Sequence, residues 1–200
     1  VEELQDSYLD ILCANDFMTR ASAEKLLQLG EVLKLDRRDT FVTIGDQRPV
    51  MGIVLRGLMK MFYLKNDKPI NIFLIPEQAV VSNFDMLFKS QPSNQEIECI
   101  EETDLLLLDY EAVLKKQKED VDFCFDMYNM VLRQLLDSLY RIESFLLLNA
   151  TERLERFLDE QPELAQRIPL NVLASFIGVS EVHVSRIRSK KYKKKPLSNH

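Results

Sequence analysis

From Gln117 to Asn149 the chain runs for 33 residues without a glycine or a proline. Such a stretch has no local reason to turn, and its apolar residues recur at a helical period. Val121, Phe125, Tyr128, Leu132, Leu135, Leu139, Ile142, Leu146 and Asn149 follow one another at alternating steps of four and three. That is a heptad seam, held for about four repeats on a helix of about 50 Å. Cys124, Met127, Val131 and Leu136 form a second apolar face, on which the rest of the chain can dock. A helix of this length must either be wrapped by its own chain or pair with its twin. The heptad spacing favours the twin, so the chain is expected to be a homodimer.

Charge is distributed as unevenly as hydrophobicity. The net charge is −6, yet residues 186–195 hold seven Lys and Arg and no acid, which leaves −13 on the other 190 residues. An acidic body with a basic end fits a polyanionic partner, either nucleic acid or an anionic surface. No apolar run approaches the roughly 20 residues of a membrane span. The opening "VEELQDSYLD" lacks a leader pattern, so a cytoplasmic location without membrane contact is expected. Cys13, Cys99 and Cys124 form no CxxC pair, and His183 and His200 are the only histidines. These counts speak against zinc, an iron–sulfur cluster or haem, and no cofactor is expected. No nucleophile–histidine arrangement and no glycine-rich nucleotide loop occurs, so the chain does not read as an enzyme.

Ahead of the long helix the texture is different. Residues 4–35 hold one or two short helices. Between 40 and 75, "TFVTIGD", "PVMGIVLRG", "LMKMFYLKND" and "PINIFLI" are strand-like runs punctuated by Gly45-Asp46, Gly57 and Asn66-Asp67. Two more strands are expected over 95–110, with a short helix near 81–90. Many short strands with turns between them read as a small antiparallel barrel or sandwich, and the predicted fold class is α+β, with an N-terminal antiparallel β-barrel, a long dimerisation helix, and a C-terminal helical unit. The corresponding domains are 1–116, 117–149 and 150–200.

The C-terminal unit carries the most specific pattern. A helix over 151–160, capped by Thr151 and ended by Pro162, leads into "PLNVLASFIGVSEVHVSRIRSKK". Pro169 opens a helix whose Leu173, Ala174 and Ile177 build one face. Gly178 ends it in a left-handed turn. Val179 plugs the turn, and Ser180 caps a second helix with Val184 and Ile187 pointing inward. Glu181, Val182, Ser185, Arg186 and Ser189 are left outward. This is a helix-turn-helix, and the basic run behind it marks its partner as double-stranded DNA. Arg186 is the first choice for a base edge, with Glu181 and Ser185 beside it. Ser180, Arg188, Ser189, Lys190, Lys191, Lys193, Lys194 and Lys195 are expected at the DNA backbone. His183 either joins them or packs beside Val179.

The order of these parts, with "LASFIGVS…SRIR" and the preceding "TERLERFL", resembles the cyclic-AMP receptor protein / fumarate–nitrate reduction regulator family of bacterial transcription factors. The pattern is similar to short members common in Bacteroidetes-type bacteria. The resemblance implies a ligand-sensing barrel, a dimer helix, and two recognition helices in successive major grooves of a palindromic site, with RNA polymerase as a further candidate partner. Arg186 matches the family's base-reading arginine. Glu181 and Val182 fall where members place the remaining reading pair, commonly Arg then Glu. Val182 departs from that pattern and suits a thymine methyl instead. The family's wing hairpin is reduced or absent, its grip passed to the basic tail.

The family's cyclic-nucleotide site needs a Gly-Glu pair and an arginine, because a phosphodiester seeks backbone N–H groups and a fixed cation. The matching region, residues 73–100, has no glycine, and Lys89 is its one basic residue. Glu77 is the candidate for the ribose-binding position, but Pro76 precedes it, and Ser93 and Asn94 stand where the arginine belongs. Cyclic-nucleotide dependence is therefore not expected. An unidentified effector in the barrel remains open, with Phe84, Met86, Leu87 and Phe88 either lining a pocket or packing on the long helix.

Overall fold

The structure, a computed structural model, describes residues 2–193. Helix α1 is Glu2–Cys13, followed by a 3-10 turn at Ala14–Asp16 and α2 at Arg20–Gln28. Then come β1 (Gly30–Leu35), β2 (Thr40–Val42), β3 (Met51–Arg56), β4 (Met59–Lys65), β5 (Lys68–Ile75) and β6 (Val80–Ser82). Helix α3 (Phe84–Lys89) precedes β7 (Glu96–Cys99) and β8 (Thr103–Leu108). The remainder is helical: α4 (Tyr110–Glu119), α5 (Val121–Leu147), α6 (Ala150–Glu160), α7 (Pro162–Arg167), α8 (Leu170–Ile177) and α9 (Glu181–Lys193).

The expected barrel is not what forms. The strands make two open four-stranded antiparallel sheets, ordered β1-β8-β3-β6 and β2-β7-β4-β5, and neither closes on itself. Closure needs long tilted strands that pair on both sides. Here β2 and β6 have three residues each and pair on one side only. The sheets stack instead, with Val54, Val81 and Leu105 of the first meeting Met59, Met61, Ile75 and Ile97 of the second. Alternate residues of the first sheet, Ile53, Leu55, Leu106 and Leu108, point the other way onto α1, α2 and α5. That sheet is buried on both faces, which is why its strands read as continuous apolar runs, "GIVL" and "DLLLL", rather than alternating ones.

The glycine- and proline-free stretch is two helices, not one. Asp120 takes an extended conformation (φ −140°, ψ 103°), and its carboxylate caps α5 by accepting from the Phe123 N–H. Lys25 Nζ lies 2.6 Å and Lys116 Nζ 3.6 Å from the same carboxylate. An aspartate with a cap to make and two cations to meet interrupts the run as effectively as a glycine. Helix α5 is therefore about 40 Å long. It buries Phe123, Asp126, Met127 and Met130 against the sandwich and α2. Of the face proposed for docking, Met127 is buried, Cys124 is half-buried, and Val131 and Leu136 stay exposed.

Asp126 and Asp120 pin α5 to the N-terminal helices. Asp126 accepts from the Thr19 N–H (3.0 Å) and the Thr19 hydroxyl (2.7 Å). Burial pushes its carboxyl up, but these bonds outweigh it and hold it below its ordinary value. The hydrogen bond from Lys25 draws Asp120 down to about 2. Both groups give up their protons more readily folded than unfolded. The stability they add is thus full above about pH 5 and lost as pH falls through the folded values toward 2. Acid unfolding followed by circular dichroism is expected to steepen over that window. Asp126→Asn is expected to flatten it, at a cost of about 1–3 kcal/mol in urea unfolding at neutral pH.

Candidate nucleic-acid interface

The C-terminal helices build a small core of their own. Leu154 and Leu158 of α6, Ala165 of α7, Leu173, Ala174 and Ile177 of α8, and Val184 and Ile187 of α9 are buried together, with Leu58 and Ile100 of the sandwich below them. The start of α6 differs from expectation. Asn149 is its cap and forms a capping box with Glu152, whereas Thr151 lies inside the first turn. The Thr151 hydroxyl is thereby free to meet His183 Nε2 at 3.0 Å. Pro162 opens α7 rather than simply ending α6, as its fixed φ and missing N–H allow.

The turn between α8 and α9 is closed by Gly178 at φ 79°, whose N–H and that of Val179 both donate to the Ala174 carbonyl at 2.9 Å. A Cβ on Gly178 would strain that backbone and come within 3.2 Å of the Phe145 ring. Val179 is half-buried against the helical core, and the Ser180 hydroxyl accepts from the His183 N–H at 3.3 Å. With Val184 and Ile187 inward, α9 turns Glu181, Val182, Ser185, Arg186, Ser189 and Lys190 to solvent, Val182 being 79% exposed. Two expected backbone contacts are otherwise engaged: His183 bridges Thr151 and Arg186 Nη2 (3.4 Å), and Arg188 donates to the Ala165 carbonyl. The side chains of Lys191, Lys193, Lys194 and Lys195 lie outside the described residues, as does any wing or tail beyond Lys193.

Several side chains that no local pattern marks hold this unit to the sandwich. Arg167, at the end of α7, forks onto Glu77 (2.9 and 2.8 Å) and reaches Glu101 at 2.7 Å. Glu77 also accepts from the Gly57 N–H. Burial raises its carboxyl, but Arg167 together with the Glu77 and Gly57 N–H groups outweighs that and holds it below its usual range. The residue considered for ribose binding is thus a strut between the two halves of the chain. Ser175 of α8 donates to the Pro69 carbonyl and accepts from the Asn71 N–H, and Arg141 of α5 donates to the Phe176 carbonyl at 2.8 Å. Arg167→Ala leaves two carboxylates facing each other. It is expected to cost about 1–2 kcal/mol, allowing for a site one-third exposed, and to speed amide exchange in α8 ahead of the sandwich.

Within the sandwich a cavity of about 580 Å³ opens toward α3, α4 and α5, walled by residues such as Met61, Phe73, Tyr110 and Met127. Phe84 and Phe88 line it; Met86 and Leu87 do not. Among the described residues no Lys or Arg reaches it, and its one charged side chain, Asp85, is paired with Lys89. No group of three or more His, Cys, Asp or Glu among the described residues is placed to hold a metal ion. No described helix is long and apolar enough to cross a membrane.

No protein-family model and no curated protein matches this sequence. Solved structures do resemble it. FixK2 from Bradyrhizobium japonicum superposes with a TM-score of 0.68 at 16% identity, over 86% of this chain and 89% of that one. The c-di-GMP responsive global regulator CLP of Xanthomonas campestris gives 0.68 at 16%, over 88% and 92%. A CooA variant from Carboxydothermus hydrogenoformans gives 0.66 at 17%, over 84% and 79%. At such identities the likeness is one of fold: a two-sheet sandwich, a long helix and a C-terminal helix-turn-helix.

Proposed function

We propose that the chain is a homodimeric, sequence-reading DNA-binding regulator of transcription. The observation that carries this reading is the α8–turn–α9 unit. Its packing residues are all inward, while Glu181, Val182, Ser185 and Arg186 stand in solvent on one continuous face. A hairpin made only for packing has no use for that face or for the basic residues after it. Pairing along α5 sets two such faces about one turn of B-DNA apart, which calls for a palindromic site. Arg186 reads a base edge, most naturally guanine, and Lys190 with the basic residues beyond it grips phosphate. The global regulator CLP, of like fold, supports the same reading.

The sandwich cavity supports a regulator that does not depend on cyclic nucleotides. A phosphodiester would enter an apolar space with no cation to meet it, a poor exchange for water. Selection from random duplexes tests the whole reading. A two-fold symmetric motif with a steep salt dependence is the expected product. Salt-sensitive binding without a motif would instead make the basic end a general polyanion contact.

A further inference from the structure

We propose that a second cavity, where α5, the β5–β6 turn and α8 meet, is a binding site for a small organic carboxylate with an aromatic or apolar body. It measures about 540 Å³, the size of a small-molecule site. Phe73 and Phe176 form its apolar walls, and Arg133, Asp137 and Arg141 line one side of α5 at successive turns.

The charges there do not balance. Among the described residues, no carboxylate lies within ion-pair distance of Arg141 or Arg133. Arg141 spends one of its five N–H donors on the Phe176 carbonyl at 2.8 Å, reaches the Asn71 carbonyl only at 3.5 Å, and lies over the Phe176 and Phe145 rings at 3.9 and 4.7 Å, which leaves the edge of its fork without an anion. Burial, reinforced by neighbouring Arg153, pushes its guanidinium down to about 10. Arg133 gives one N–H to the Asp16 carbonyl and lies over the Phe17 ring. Of the two acids on the lining, Glu77 is already neutralised by Arg167, and the Asp137 carboxylate has no hydrogen-bond or ion-pair partner among the described residues. Two arginines against one available aspartate leave an excess of one positive charge beside the Phe73 ring. A carboxylate answers that excess through the guanidinium fork, and its body lies against Phe73. A dianion would overshoot the balance, and an amine would worsen it.

The site would also be felt at a distance, a consequence that rests on the DNA-binding reading. Arg141 holds the Phe176 carbonyl of α8, so a ligand that draws on the same guanidinium acts directly on the helix that supports α9.

The test is a titration of the nitrogen-15-labelled full chain, without DNA, using benzoate, benzamide and benzylamine. Benzoate is expected to shift the side-chain amide signals of Gln78 and Gln161, which line this cavity, and to leave those of Gln95 and Gln117, which line the apolar one. Benzamide should bind about tenfold more weakly or worse, because it cannot supply the charge. Arg141→Gln should erase the preference for the acid. Arg133→Gln, at the exposed rim, should reduce it, and keeps the test decisive if the first variant folds poorly. Equal binding of benzoate and benzamide, or shifts centred on Gln95 and Gln117, would overturn the proposal. So would silence at Gln78 and Gln161 with benzoate, phenylacetate and hydrocinnamate alike. Because DNA is absent, failure here leaves the regulator reading untouched, and failure of that reading leaves the binding result standing.

Discussion

Arg186→Ala is expected to abolish the preference of the chain for its selected sequence while barely changing its binding to unrelated duplexes. An arginine fork on guanine contributes about 1–3 kcal/mol, and a two-fold site uses it twice. The loss should therefore reach roughly two to four orders of magnitude in affinity. The fold should survive, because Arg186 is exposed and among the described residues its side chain makes only a 3.4 Å approach to His183 on its own helix. Val184 and Ile187, which hold α9 in place, are untouched. Lys190→Ala provides the contrast. A phosphate contact carries no sequence information, so its removal should weaken all duplexes alike and reduce the salt slope. Competition binding with selected and scrambled duplexes across salt concentrations measures both. A small, sequence-blind effect of Arg186→Ala would remove this residue from the reading face and, with it, the case for a sequence reader.

What could be read in advance was whatever repeats or is local. The seam of α5 shows in the sequence because a 3.5-residue period needs no knowledge of the fold. The helix-turn-helix shows because Gly178, Ser180 and the inward pair Val184 and Ile187 lie within ten residues of one another. The parts that stayed hidden depend on distant partners. Asp120 breaks the long helix where it caps α5 and meets Lys25, 95 residues away. The cap of α6 is the exception, since Asn149 with Glu152 three residues on is a local reciprocal pair, and it displaces Thr151 from the cap. Arg167 finds its carboxylates 66 and 90 residues away, at the ends of turns that no pattern connects. Arg188 looked like part of a basic run and turned out to serve the Ala165 carbonyl. Barrel and sandwich share the same strand signals, and pairing on one side or two is decided by strands as short as β2 and β6.

Leu139→Glu is expected to convert a dimer into a monomer without unfolding it. Seven of the eight apolar seam residues are exposed on the single chain, Val121 at 82% and Leu146 at 78%, and Leu132 is half-buried. A stripe of that size left in water is costly, and a twin offers the same stripe in the right register. Leu139 is the sixth of the eight seam residues, is 50% exposed and lies outside the buried clusters, so a glutamate there costs its own protomer little. In a symmetric pair the change acts twice. It removes about 1.5–3 kcal/mol of leucine burial from each side and sets two like charges against each other across the axis. Sedimentation at micromolar concentration should give twice 23.4 kDa for the parent and 23.4 kDa for the variant, with unchanged far-ultraviolet circular dichroism. Tyr140→Glu is the control: equally exposed, it sits roughly a third of a turn off the seam and should remain dimeric. DNA binding ties the two predictions together. A monomer with an intact Arg186 keeps the code for one half-site but loses the linkage that makes the second contact intramolecular. Its affinity for the full palindrome should fall to that for a single half-site. A parent mass near 23 kDa, or a Leu139→Glu variant that still sediments as a dimer, would mean that α5 is covered by something other than its twin.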